Sequence, residues 1–99
     1  MQPALKTALT GFKSYLTIER GFSDHSIDAY VLDITRYLTW LEEERNISSL
    51  HAICPADVTD FLATLQQAEL AAASMARAIS AIRHFHRFLH DEGLSDTNP

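Results

Sequence analysis

Apolar residues recur along most of this chain at intervals of three and four, the spacing that puts them on one side of a helix. Leu5, Leu9, Phe12, Tyr15 and Leu16 carry the first stripe and predict a helix over residues 3–20. Pro3 suits its opening, where a missing backbone N–H costs nothing, and Gly21 ends it. Ile27, Tyr30, Val31, Ile34, Tyr37, Leu38 and Leu41 form a second stripe. The run from Ser23 to Ser26 offers caps for this helix, Asp24 and Asp28 suit the positive end of its dipole, and Glu42-Glu43-Glu44-Arg45-Asn46 closes it as a solvated end. Trp40 lies off the centre of the stripe, as expected of a partly buried packing residue.

From Ile47 to Cys54 the period is lost, which predicts a loop anchored in the core by Leu50 and Ile53. Pro55 then fits the first position of a third helix, whose stripe is Val58, Phe61, Leu62 and Leu65. Residues 66–73 favour helix without a clear stop. The fourth helix, Ser74 to Gly93, has two opposed faces. Met75, Ala78, Ile79, Ile82, Phe85, His86 and Leu89 share one arc at about 100° per residue, and Arg77, Ser80, Arg83, His84 and Arg87 lie opposite. Ser74 is read as its N-cap and Gly93 as the left-handed residue that ends it. The tail from Leu94 to Pro99 reads as a domain exit. Four amphipathic helices, each able to bury its apolar face only against the others, make an all-α four-helix bundle with no sheet.

The 99 residues suit one domain, and 46% hydrophobic residues suffice for a small core. No apolar run is long enough to span a bilayer and no signal peptide opens the chain, so the expectation is a cytoplasmic protein without membrane contact. The net charge of −5 runs against a generic nucleic-acid binder, but its distribution is uneven. Residues 1–22 are net positive, residues 23–70 carry nine acids against two arginines, and residues 71–99 balance. On the fourth helix, three arginines on one side are either a solvated face or a binding face.

Catalytic and metal chemistry find little support. His84, His86, His90, His51 and Cys54 do not complete a four-ligand pattern, so no metal or cofactor is expected. His86 is placed near the core edge, with His84 and His90 on the wetter side. The lone Cys54 cannot form an internal disulfide and is expected as a buried, inert thiol. Ser26, Asp28 and His25 are too close together on one helix to converge as a nucleophile set.

The ordered set Ser23, Ser26, Tyr30, Asp33-Ile34 and Tyr37-Leu38, then Ser74, Arg77, Ser80-Ala81-Ile82-Arg83, Phe85, Phe88-Leu89, Gly93 and Asn98-Pro99, resembles the N-terminal core-binding domain of tyrosine site-specific recombinases, in particular the Xer-type and phage integrase group. The resemblance runs from about Leu9 to Pro99. It implies a SAM-like integrase N-terminal domain, residues 1–99 as one unit, that binds double-stranded DNA and clamps the recombination site beside neighbouring recombinase subunits. It places Ser26, Ser74, Arg77, Ser80 and Arg83 toward DNA, where His84 and Arg87 on the same polar face of the fourth helix are expected to join them, and gives Tyr30 and Asp33 to helix-to-helix polar contacts. The family's catalytic residues belong to a downstream domain. This implies that the chain is a fragment with no catalytic activity of its own, from a DNA breaking and rejoining parent. Val31 and Leu32 stand where such proteins often carry basic residues. Together with the acidic charge they favour the alternative, a helical protein-interaction domain that keeps the fold without the DNA face.

Overall fold

Pro3 occupies the first turn of α1 (Pro3–Ile18), which stops short of the expected Arg20 because the backbone reverses at Gly21, φ +62°. Phe22 N–H closes this reversal by donating to the Leu16 carbonyl at 3.1 Å. In the computed structural model, which describes residues 1–94, the chain continues into α2 (Asp24–Arg45), α3 (Pro55–Gln67) and α4 (Ala72–Asp91). No strand occurs among the described residues, and the Asn98-Pro99 exit lies outside them.

The helix ends follow local chemistry. Ser23 caps α2 by accepting the Ser26 N–H at 3.3 Å, and Asn46 ends it in the left-handed region, which asparagine tolerates better than most residues. Between α2 and α3, Ile47, Leu50 and Ile53 are buried as anchors, and Leu50–Ala52 winds into one 3-10 turn. Cys54 departs from expectation: it is exposed rather than buried. It is the N-cap of α3, where Asp57 reaches back to accept its backbone N–H at 3.0 Å, while the neighbouring Ile53 takes the core position. Ser74 is not the N-cap of α4. That helix begins almost a turn earlier, with Ala71 as an N-cap that makes no side-chain bond. The left-handed Glu69, φ +59°, sets the preceding turn, and the alanines after it lose no side-chain freedom on entering a helix. At the other end Gly93, φ +69°, behaves as expected. Its N–H donates to the His90 carbonyl at 3.0 Å and Leu94 N–H donates to the Leu89 carbonyl at 2.8 Å, the Schellman pairing.

Leu16, Ile34, Leu38, Phe61, Ile82 and Leu89 are buried as expected, whereas Leu65 and Ile79 are half-buried. The buried face of α4 is turned from the expected arc. Ala81 and Phe88 join it, while Met75 and Ile79 are only partly covered. The cause is that α4 packs against α1 as well as α2. Phe88 meets Phe12 and Tyr15 with ring centres 5.9 and 5.3 Å apart, and Phe85 meets Phe12 edge-on at 5.2 Å. Gly11 allows this approach, since a Cβ there would sit 3.0 Å from the Phe88 ring. Trp40 is half-buried against Phe61, with the Arg45 guanidinium 4.9 Å above its ring.

Candidate nucleic-acid interface

The start of α2 and the outer side of α4 lie some fifty positions apart in sequence, and an aromatic cluster joins them. His84 packs against Phe22 and Tyr30 at 5.5 and 5.7 Å between ring centres, and Phe22 meets Tyr30 edge-on at 5.3 Å. Two polar contacts extend the join. The Tyr30 hydroxyl and Ser80 Oγ share a hydrogen bond of 2.7 Å, and Arg77 donates through Nε and Nη2 to the two carboxylate oxygens of Asp33 at 2.8 and 3.0 Å. Tyr30 and Asp33 therefore make the helix-to-helix polar contacts assigned to them.

The other residues expected on this face differ in how free they are. Arg83 and Arg87 are exposed and one helical turn apart on α4. Arg77 holds its charge against Asp33, whose hydrogen bond and negative charge raise the guanidinium pKa further. Ser80 is tied to Tyr30. Ser26 is half-buried at the start of α2; its Oγ accepts a hydrogen bond from the Ser23 hydroxyl at 3.1 Å. Ser74 is half-buried in the first turn of α4. His84 is half-buried and its pKa is lowered, first by burial and then by the charges of Arg20 and Arg87.

That last effect reveals a residue the sequence reading missed. Arg20, in the reversal between α1 and α2, lies near enough to His84 for its charge to be felt there. The only sequence signal was the positive balance of residues 1–22. Arg20 and Arg87 thus put cationic groups from two segments beside His84, whose own charge burial disfavours, and Arg83 is exposed one turn before Arg87 on α4. Asp24 and Asp28 are exposed on the first turns of α2, so the positive charge of this side comes from α4 and Arg20.

A second group of acids lies at the opposite end of α2. Glu42 accepts the Gln2 backbone N–H at 2.6 Å and lies 3.8 Å from the N-terminal ammonium. Arg45 pairs with Asp60 and lies 3.7 Å from Asp57. At 1.5 Å of rise per residue, Ser26 and Glu43 are about 25 Å apart along the helix. That is roughly three Debye lengths at physiological salt, so the acids at this far end barely weaken attraction at the cationic side, and the acids that oppose it locally are Asp24 and Asp28.

His86 departs from its expected place at the core edge: it is fully buried, 0% exposed. Its Nε2 is 2.8 Å from the Tyr37 hydroxyl and its Nδ1 has no hydrogen-bond partner. Burial lowers its pKa from 6.5 to about 4, and burial also pushes the Tyr37 hydroxyl up, with the Asp57 charge adding to it. Among the described residues no group of three His, Cys, Asp or Glu is arranged to hold a metal ion, and no helix is long and apolar enough to cross a membrane.

The domain model for the phage integrase N-terminal SAM-like domain matches residues 9–93. Tyrosine recombinase XerD of Chlorobaculum tepidum is 44% identical over 98 residues, covering 99% of this chain and 31% of the relative. Tyrosine recombinase XerD of Oceanobacillus iheyensis is 34% identical, covering 96% and 32%, and tyrosine recombinase XerC of Pediococcus pentosaceus is 36% identical, covering 89% and 29%. The chain spans about a third of the length of these relatives. No solved structure matches it. With four helices in the expected order and a family match across most of its length, the chain belongs to the phage integrase N-terminal SAM-like domain family.

Proposed function

We propose that this domain is the core-binding module of a tyrosine recombinase and binds double-stranded DNA through the side formed by the start of α2 and the outer face of α4. The observation that carries this reading is the meeting of Arg20 and Arg87 at His84 beside the start of α2, with Arg83 exposed one turn from Arg87 and the Glu42-Glu43-Glu44 run at the far end of α2. Arginines that neutralise phosphates release counterions, which gives affinity that falls with salt and depends little on sequence. Ser26, Ser74 and Ser80 add hydroxyls that can hydrogen-bond phosphate oxygens and fix the register of the domain on the duplex. In this reading the domain clamps one side of the recombination site. The strand-breaking chemistry belongs to a catalytic domain carried elsewhere in a longer protein, where neighbouring recombinase subunits are the partners.

The test is a binding titration with Arg83→Ala, Arg87→Ala. The double variant weakens binding to specific and unrelated duplexes alike and flattens the plot of log affinity against log salt by about 0.9 for each phosphate left without its arginine. Glu43→Gln, Glu44→Gln, at the far end of α2, leaves both nearly unchanged. Unaltered affinity and slope in the arginine variant would reject the DNA face. They would favour instead a protein-interaction domain, a reading for which Leu32, 46% exposed on α2, supplies an outward apolar group.

A further inference from the structure

Arg77 differs from the other arginines of α4 because its guanidinium is already engaged. Of its five N–H groups, the one on Nε and one on Nη2 donate to Asp33 at 2.8 and 3.0 Å. Asp33 is 6% exposed, while the Arg77 side chain is 37% exposed. One edge of the fork is thus spent on a buried carboxylate, which leaves three N–H groups without that partner on a side chain that is partly exposed. Asp33 has no other side-chain partner among the described residues, so releasing Arg77 would strand a buried charge. The guanidinium is held in place.

We propose that Asp33 is a positioning residue for DNA-backbone binding: it fixes the Arg77 fork so that the outer edge meets a phosphate oxygen beside those held by Arg83 and Arg87. This rests on the DNA-face reading above and adds a residue that itself never touches DNA. Three features support it. A guanidinium fixed before binding has less side-chain freedom to lose on association. The Tyr30–Ser80 hydrogen bond, one turn from the ion pair on both helices, clamps the same seam. The pair is also electrically near neutral, so Arg77 contributes direction rather than long-range attraction.

Removing the carboxylate separates the two possible roles by sign. Simple electrostatics says that losing a negative charge near the DNA face strengthens binding, whereas a positioning role says that it weakens it. The experiment follows binding of the 99-residue chain to a short fluorescein-labelled duplex by anisotropy, at several salt concentrations. Asp33→Asn is expected to lose about tenfold in affinity, as is Arg77→Lys, which keeps the charge without the fork. The salt slope of Arg77→Lys should stay at the parental value. In an Arg77→Ala background, adding Asp33→Asn should cause no further loss, a coupling that general loosening of the fold would not produce. Circular dichroism melts establish which variants are folded. Affinity at or above the parental value in either single variant overturns the positioning role, and so does a further full loss in the double variant. If Asp33→Asn does not fold, Arg77→Lys decides alone. A loss in Arg83→Ala, Arg87→Ala alongside parental binding by the Asp33 and Arg77 variants rejects only the positioning role. Parental binding by the Arg83→Ala, Arg87→Ala variant rejects the DNA face itself.

Discussion

Acid should destabilise this domain through one side chain in its core, His86. It is fully buried against Tyr37 and Phe85, and its Nδ1 faces no acceptor. Protonating it would place a charge in the core with only the Tyr37 hydroxyl to solvate it. Burial therefore holds its pKa near 4 in the fold, against the usual 6.5. Because the folded value is depressed, the unfolded chain binds the extra proton first as pH falls. The stabilisation from neutral His86 is complete above pH 6.5, declines as pH falls toward 4, and is constant below that, where both states are protonated. Within the window one proton gives a slope of about 1.4 kcal/mol per pH unit, and the whole shift amounts to about 3 kcal/mol. Against a typical domain stability of about 5–15 kcal/mol, this is a large part of the total. His84 titrates in the same direction, so the test compares a variant with its parent rather than reading the raw curve. Urea unfolding of the parent and of Tyr37→Phe, His86→Leu should be measured between pH 4 and pH 7. Replacing both partners avoids stranding the Tyr37 hydroxyl, which alone would cost about 1–3 kcal/mol. The double variant should lose most of the slope between pH 6.5 and 4; a slope equal to that of the parent would refute the assignment.

Ile82→Ala should cost about 2–5 kcal/mol in the same urea assay, since Ile82 is 4% exposed against the core; a loss within error would mean that the α4 face is wrongly placed. Ser23→Ala removes the acceptor for the Ser26 N–H and should destabilise α2 by about 1 kcal/mol, read as a lower denaturation midpoint with unchanged slope. Incubated with duplexes carrying recombination sites, the purified chain should form no covalent DNA adduct; an adduct resolved on a denaturing gel would contradict the assignment of catalysis to a separate domain.

Sequence alone determined what depends on neighbours a few positions away. The three-and-four spacing of Leu5, Leu9, Phe12 and Leu16, or of Ile34, Leu38 and Leu41, marks helices because the period of a helix is a local property. Ser23, Pro55 and Gly93 marked helix ends for the same reason: a cap bond spans three residues, and proline or left-handed glycine acts on its own backbone. The order of these signals also carried the family resemblance. Ser74 misled because a serine is only an opportunity for a cap, and the turn at Glu69 let the alanines begin the helix first.

Tertiary structure decided whatever needed a partner from another helix. The periodicity of α4 could not show that Phe88 faces inward, because this depends on α1 and on the space left by Gly11. Arg77 and Arg83 both fall on the polar face of α4 by periodicity, yet one is held by a carboxylate 44 positions earlier and the other is exposed. His86 looked like an edge residue until Tyr37, 49 positions earlier, enclosed it, and Arg20 joined the cationic side only through the reversal at Gly21. Local sequence marks where each helix runs and that one side of it is apolar. The burial, charge state and freedom of an individual side chain are set by what packs against it, and that depends on how the whole chain closes on itself.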